Sequence, residues 1–217
     1  MEERRLSVCL KIMKYYSRGN EMSGIKSEKN SYHHGNLRAK LIELGLEVLE
    51  AEGAEALSLR ELAKMAGVSK TAPYRHFKNK EIFLASLADE GFRLLYADLL
   101  QARGNGPGSV ERMGRSYMAF AVKHPALYRL MNSSLLNRMP DPFKVWARKT
   151  LVLLSNTLAG VRDDENPPLN LHDATAIWAY IHGLVLIRID GLYPQDLNQP
   201  DWEQLAGTVF VLPLKTS

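Results

Sequence analysis

The chain of 217 residues has a single cysteine, Cys9, so it cannot form an internal disulfide or a zinc site built on cysteines. It has no apolar run of the ~18 residues that a membrane span needs. The longest candidate, 174–189, is interrupted by His182 and Arg188. Glycine and proline, at 15 and 10 residues, are too few for a collagen-like or low-complexity chain. These absences exclude secreted, fibrous and membrane proteins and predict a cytoplasmic protein without a membrane partner.

Motifs of catalysis and metal binding are also missing from the sequence. It contains no H-E-x-x-H zinc motif and no glycine-rich phosphate loop. Cys9 lies in a segment without regular periodicity, which makes it a poor candidate for a nucleophile. The sequence therefore predicts a protein that is not an enzyme and that needs neither a metal ion nor a cofactor.

Positive charge is concentrated in the first third of the chain. Residues 1–80 carry 15 Lys or Arg and 10 Asp or Glu, whereas residues 81–217 carry 13 and 14. The segment 62–80 holds five cations and no acid. Such a local basic patch is typical of a protein that binds a polyanion, although a merely solvated face has the same composition.

The N-terminal third reads as an arm followed by four helices. Residues 1–34 lack a sustained period and are interpreted as a flexible arm. Apolar residues at helical spacing predict a first helix over 36–52, ended by Gly53. Ser58 and Glu61 have the spacing of a capping box, which predicts a second helix. After a turn at Gly67, Ser69 is expected to cap a third helix, Lys70 to about Phe77, and a longer fourth helix follows from about residue 80.

The remainder of the chain also has helical periodicity and shows no alternation typical of strands. Prolines and glycines divide it into predicted helices at about 109–124, 125–135, 142–162, 172–190 and 201–212. The predicted fold class is therefore all-α.

Two short helices joined by a turn that contains glycine form a helix-turn-helix, whose second helix enters the major groove of DNA. The stretches Leu57–Ala63, Ala66–Ser69 and Tyr74–Glu81 resemble the DNA-binding domain of TetR/AcrR-family transcriptional regulators. This resemblance implies a DNA-binding domain over 35–80. It also implies that the long fourth helix joins this domain to a regulatory, ligand-binding and dimerisation domain over 81–217.

The same resemblance implies which side chains contact DNA. Tyr74, His76 and Lys80 match phosphate-contacting positions of the family, although Tyr74 and His76 would also be suited to bracing the third helix against the first. Lys70 and Thr71, near the start of the third helix, are the expected readers of base edges. The full predicted contact set is Ser58, Ser69, Lys70, Thr71, Ala72, Tyr74, Arg75, His76 and Lys80.

Farther along the chain, His124–Tyr128 and Trp178–Gly183 resemble the WHG-type C-terminal domain of one TetR branch. A small-molecule pocket is implied by this resemblance, and several aromatic or polar residues on apolar helices are candidates to line it. A plain apolar core would use many of the same residue types. The candidates are Tyr117, Phe120, His124, Tyr128, Trp146, Trp178 and His182.

The last two helices are expected to form the interface of a homodimer, with Gly183 and Gly207 permitting close approach of helices. The alternative is a monomer whose final helices only close the core. The leading hypothesis is a ligand-responsive repressor that binds a palindromic operator as a dimer. An activator, or an architectural DNA-binding protein without a small-molecule effector, remains the alternative.

Overall fold

The computed structural model describes residues 37–135, 138–139, 141–160 and 171–208. Within these ranges the chain forms eight α-helices and two short 3₁₀ helices, and no strand. The all-α prediction is confirmed. The predicted arm, residues 1–34, lies outside the described residues.

The α-helices are numbered in chain order. They are α1 (Leu37–Glu52), α2 (Leu59–Met65), α3 (Lys80–Arg103), α4 (Ser109–Lys123), α5 (Pro125–Met131), α6 (Val145–Leu158), α7 (Leu171–Ile189) and α8 (Trp202–Gly207). The 3₁₀ helices span Ala72–Arg75 and Asp141–Lys144. Three predicted boundaries differ by three residues or more: the helix expected over 125–135 ends at Met131, and the one expected over 142–162 spans only Val145–Leu158. Residues 209–212 of the predicted last helix lie outside the described part of the chain.

The first three α-helices pack around one apolar cluster near the N-terminal end of α3. From α1 the cluster receives the predicted stripe of Leu37, Leu41, Leu44 and Leu49, all buried. Phe77 and Phe83 pack edge-to-face within it, with ring centroids 4.9 Å apart. Gly45 allows this approach, because a Cβ atom at that position would lie 2.5 Å from the Phe83 ring.

Helix α3 joins the two halves of the described chain. Its 24 residues span about 36 Å. The first turns contact α1, and the later turns pack against α4, α5 and α6. Movement of α4 or α6 therefore acts directly on the helix that also supports the N-terminal cluster.

A second connection between the halves is made by Glu50 at the end of α1. Its carboxylate accepts the backbone N–H groups of Ala126 at 3.2 Å and Leu127 at 3.0 Å, in the first turn of α5. These two N–H groups have no partner inside their own helix. Burial of the carboxylate raises its pKa, and the two hydrogen bonds oppose that rise. Glu50 thus caps a helix that lies 76 residues farther along the chain.

Loss of this cap is predicted to destabilise the protein. Glu50→Ala leaves two partly buried N–H groups without an acceptor, so we expect the free energy of unfolding to fall by about 1–2 kcal/mol. Glu50→Gln retains one acceptor oxygen and should lose less. Denaturant titration measures both values, with Glu52→Ala on an exposed side chain as the control. Equal effects of Glu50→Ala and Glu52→Ala would contradict the capping role.

Candidate nucleic-acid interface and internal cavity

A well-defined turn connects α2 to the segment expected to read DNA. The N–H of Val68 donates to the carbonyl of Ala63 at 2.9 Å, and the N–H of Gly67 donates to that of Lys64 at 3.1 Å. This pair of bonds is a Schellman motif, which needs a left-handed residue after the helix. Gly67 supplies it with a φ of 69°, so the predicted role of this glycine is confirmed.

The predicted third α-helix, Lys70 to about Phe77, is instead a single 3₁₀ turn over Ala72–Arg75. Pro73 lies in its first turn, has no N–H to donate and is buried. The N–H of His76 then bonds the carbonyl of Pro73 at 2.9 Å, three residues back. Because Phe77 is anchored in the core and α3 begins at Lys80, the segment has no room for a second turn.

The two predicted serine caps also differ from expectation. Ser58 has the extended backbone of an N-cap residue, and its carbonyl accepts the N–H of Leu62 at 2.9 Å. However, its side chain makes no capping bond with Glu61 or the first turn of α2, so the capping box is not formed. The hydroxyl of Ser69 lies 3.2 Å from that of Thr71, which pairs two side chains of the turn and caps no helix.

Most of the predicted DNA contacts are exposed and lie within one short segment, residues 69–76. Of the predicted set, Ala72, Ser58 and Lys80 are half-buried. The Tyr74 side chain is 46% exposed. We call the exposed members the basic face; they are Ser69, Lys70, Thr71, Tyr74, Arg75 and His76.

Lys80 is held at the edge of the basic face by a specific contact. Its ammonium donates to the backbone carbonyl of Glu55 at 3.0 Å, which ties the start of α3 to the turn after α1. An ammonium group has three donors, so two remain for a phosphate oxygen. The side chain of Asn79 caps the same helix by accepting the N–H of Ile82 at 2.9 Å.

A cavity of about 1080 Å³ lies between α3, α4, α6 and α7. Its deep wall is apolar and includes Leu95, Met113, Met131 and Ile177. Three of the predicted pocket residues line it, namely Tyr117, Trp178 and His182. A charged mouth was missed by sequence reasoning: it is formed by Asp141, Lys144 and Arg148, whose position depends on how α6 packs.

The other four candidates lie outside the cavity, which corrects the sequence prediction. The Trp146 ring packs 5.4 Å from the Tyr96 ring and carries the Lys149 ammonium at 4.1 Å, away from the lining. Phe120 and Tyr128 are fully enclosed core residues. The His124 ring packs tilted against the Phe120 ring, with centroids 5.2 Å apart, and burial lowers the pKa of His124 to about 4. Helical periodicity alone does not tell which side of a buried helix meets the core and which meets a cavity.

Tyr128 nevertheless connects two of the cavity-lining residues. Its hydroxyl lies 3.1 Å from the Tyr117 hydroxyl and 2.5 Å from Nδ1 of His182. The Trp178 ring packs beside the His182 ring, with centroids 6.0 Å apart. Burial raises the pKa of both phenols and lowers that of His182, so all three groups are uncharged at neutral pH. We call the side chains of Tyr117, Tyr128 and His182 the polar relay.

Within the described ranges, no group of three His, Cys, Asp or Glu residues is arranged to hold a metal ion. No helix among the same residues is long and apolar enough to cross a membrane.

Family comparisons match both halves of the chain. Residues 41–87 match bacterial regulatory proteins of the tetR family, and residues 110–208 match the tetracyclin repressor-like C-terminal domain. The second match does not distinguish the WHG type, which stays a prediction.

Solved structures give the same assignment of the fold. A Rhodococcus sp. RHA1 protein of unknown function is 26% identical, with a TM-score of 0.67 over 83% of this chain and 94% of that one. The TetR-family transcriptional regulator PfmR from Thermus thermophilus is 17% identical, with a TM-score of 0.53 over 78% and 93%. AibR, solved with isovaleryl coenzyme A and operator DNA, is 16% identical, with a TM-score of 0.53 over 80% and 96%. With matching models at both ends of one all-α chain, the protein belongs to the TetR family of bacterial transcriptional regulators.

Proposed function

We propose that this regulator is a homodimeric repressor that binds a palindromic operator and releases it when a small molecule fills the cavity. The observation that carries the proposal is the presence, in one chain, of the exposed basic face and of a large apolar cavity joined by α3. AibR supports the same pairing, since that protein was solved with both an acyl coenzyme A and operator DNA. The protein acts by binding alone, without catalysis, in the cytoplasm where its DNA lies.

On DNA, the basic face enters the major groove through its short 3₁₀ turn. Lys70 and Thr71 stand next to the turn at Gly67 and reach for base edges, while Tyr74, His76 and Lys80 contact phosphates. The exposed cations of this face make no ion pair with the described residues, so their charge is free for a polyanion.

A partner subunit is favoured by the surface of α7. The side chains of this helix that are buried in the protomer form one stripe, Ala174, Ile177, Ile181 and Val185. The opposite side is also apolar, which within a single copy leaves a helix face uncovered. At Gly183 an added Cβ atom would meet nothing within 4 Å, whereas at Gly207 it would lie 2.7 Å from Arg115. Gly183 is therefore available for a second copy, while Gly207 serves contact within its own chain.

Release follows from linkage between the two sites. A ligand that binds the DNA-free form more tightly lowers operator affinity, and the operator must lower ligand affinity by the same factor. An activator uses the same contacts with an operator placed elsewhere on the promoter. An architectural protein needs no effector and shows little sequence preference.

The decisive experiment titrates the protein against DNA from upstream of its own coding region and against unrelated DNA, at two salt concentrations. Specific binding that persists at physiological salt supports the proposal, and footprinting then gives the half-site spacing. If the operator lies elsewhere, a selection of bound fragments from the genome finds it. If every genomic fragment is bound weakly, with strong salt dependence and no sequence preference, the protein is the architectural alternative.

Removal of a base-reading side chain should change sequence preference. We expect Lys70→Ala to reduce discrimination at one operator position by about 1–3 kcal/mol, because a base-edge bond is lost. Binding to single-base operator variants measures this, with Lys123→Ala on an exposed α4 cation as the control. If all single-base variants weakened in parallel, Lys70 would be a phosphate contact.

Removal of a phosphate-contacting charge should act uniformly. Lys80→Gln keeps an N–H donor for the Glu55 carbonyl but loses the positive charge. We expect weaker binding to every DNA sequence and a salt slope smaller by about one unit. Lys123→Gln should leave the slope unchanged. An unaltered slope in Lys80→Gln would place Lys80 away from the DNA backbone.

A bulky residue at position 183 should separate the subunits without unfolding them. Since the space around Gly183 is open within the protomer, Gly183→Leu is expected to preserve the helical content and shift the mass in sedimentation equilibrium from dimer to monomer. Ala119→Leu, on the exposed side of α4, is the matched control. A dimer that survives Gly183→Leu would require a different interface.

A further inference from the structure

The polar relay contains more hydrogen-bond donors than it uses internally. Its donors are the two tyrosine O–H groups and the single N–H of a neutral histidine. Two hydrogen bonds join the three side chains in sequence, from Tyr117 through Tyr128 to His182. Each bond uses one hydrogen, so one of the three hydrogens must point out of the relay.

The direction of the relay decides where that hydrogen lies. In one direction Tyr117 donates to Tyr128 and Tyr128 donates to Nδ1 of His182, which leaves the hydrogen on Nε2. The arrangement in which Tyr128 accepts from both neighbours strands its own hydroxyl hydrogen, although its side chain is 0% exposed. The fully reversed arrangement leaves the hydrogen on Tyr117, whose side chain is only 7% exposed, whereas His182 is half-buried and more accessible to a ligand.

Nε2 of His182 is open to the cavity. His182 lines the cavity and is half-buried, and Nε2 bonds no described residue. The one buried side-chain nitrogen or oxygen without a partner in the described chain is Oδ1 of Asp89, so Nε2 remains accessible. A neutral N–H group thus faces a space whose deep wall is apolar.

The charges of the cavity lie at its mouth and are not placed to receive a buried ion. Asp141 and Arg148 are exposed, and the Lys144 ammonium lies 3.8 Å from the Asp141 carboxylate. A carboxylate bound at the half-buried His182 would exchange part of its hydration for uncharged partners, which is costly. A neutral oxygen acceptor avoids that cost.

We propose that the cavity selects an uncharged lipophile bearing a carbonyl oxygen, and that Nε2–H of His182 is the specificity-determining donor to that oxygen. The ligand class comprises ketones, esters, amides and lactones of apolar molecules. The proposal rests on the proposed function only in taking this cavity as the effector site.

The test uses benzophenone and diphenylmethane, which differ by one carbonyl group, in equilibrium dialysis against the full chain without DNA. His182→Phe should lower the ratio of ketone affinity to hydrocarbon affinity about 3- to 10-fold, the effect of one net hydrogen bond. Lys123→Gln, on an exposed cation outside the cavity lining, is the control and should leave the ratio within about twofold. An unchanged ratio in His182→Phe, or no binding of benzophenone to the natural chain, overturns the proposal.

Diphenylacetate tests the anionic alternative. If it binds more tightly than benzophenone and Lys144→Gln removes that advantage, the mouth selects the ligand and the proposal is wrong. Weaker binding of diphenylacetate supports it.

Nitrogen-15 spectra of labelled histidine in the natural chain test the relay without relying on the folding of a variant. The His182 signals, assigned by their loss in His182→Gln, should show hydrogen on Nε2 and none on Nδ1. The opposite tautomer overturns the assignment of the donor.

Measurements of operator binding distinguish the proposed ligand-controlled release of DNA from the proposed role of His182 in ligand selection. A ketone that binds through His182 but leaves operator affinity unchanged refutes ligand-controlled release and retains the inference. Suppose instead that both benzophenone and diphenylmethane release the operator, and that the ratio of their affinities is the same in the natural chain and in His182→Phe. That result retains ligand-controlled release and refutes the role of His182.

Discussion

The bond between the Glu50 carboxylate and the first turn of α5 is the constraint on which the relation between the two halves depends. Helix α5 has only seven residues and cannot be stable by itself. Its N-terminus is fixed by a side chain of α1, and its fourth residue, Tyr128, is the centre of the polar relay. One short helix therefore contacts both the N-terminal cluster and the wall of the cavity.

This arrangement makes the two halves mechanically dependent in a specific way. Rotation of Tyr128 would turn the N-terminal end of α5 and strain its bonds to Glu50. Close packing around Tyr128, which is fully buried, leaves little space to absorb such a rotation locally. A change at the cavity therefore has two routes to the N-terminal helices. One is the packing of α3, and the other is the hydrogen bonds between Glu50 and α5.

Some features of the fold and of the candidate site could be predicted from the sequence and others could not, for physical reasons. The turn at Gly67 and the end of α1 at Gly53 were predictable because a positive φ is a local requirement that few residues other than glycine meet. The 3₁₀ turn was missed because the anchoring of Phe77 limits its length, and that depends on packing with Phe83. Trp178 and Trp146 were equivalent candidates in the sequence. In the structure, the orientation of each helix places Trp178 in the cavity lining and Trp146 against Tyr96. The partnership of Glu50 with α5 had no sequence signal, since 76 residues separate them.

The brevity of the 3₁₀ turn limits how much information one copy of the chain can extract from DNA. Its four residues extend about 8 Å, close to the rise of two or three base pairs. Two or three base pairs distinguish only about 16 to 64 sequences, against the millions of competing sites in a genome. A single turn of this length therefore contacts too few base pairs for unique recognition of one genomic site, which agrees with the proposed binding of a palindromic operator by two copies.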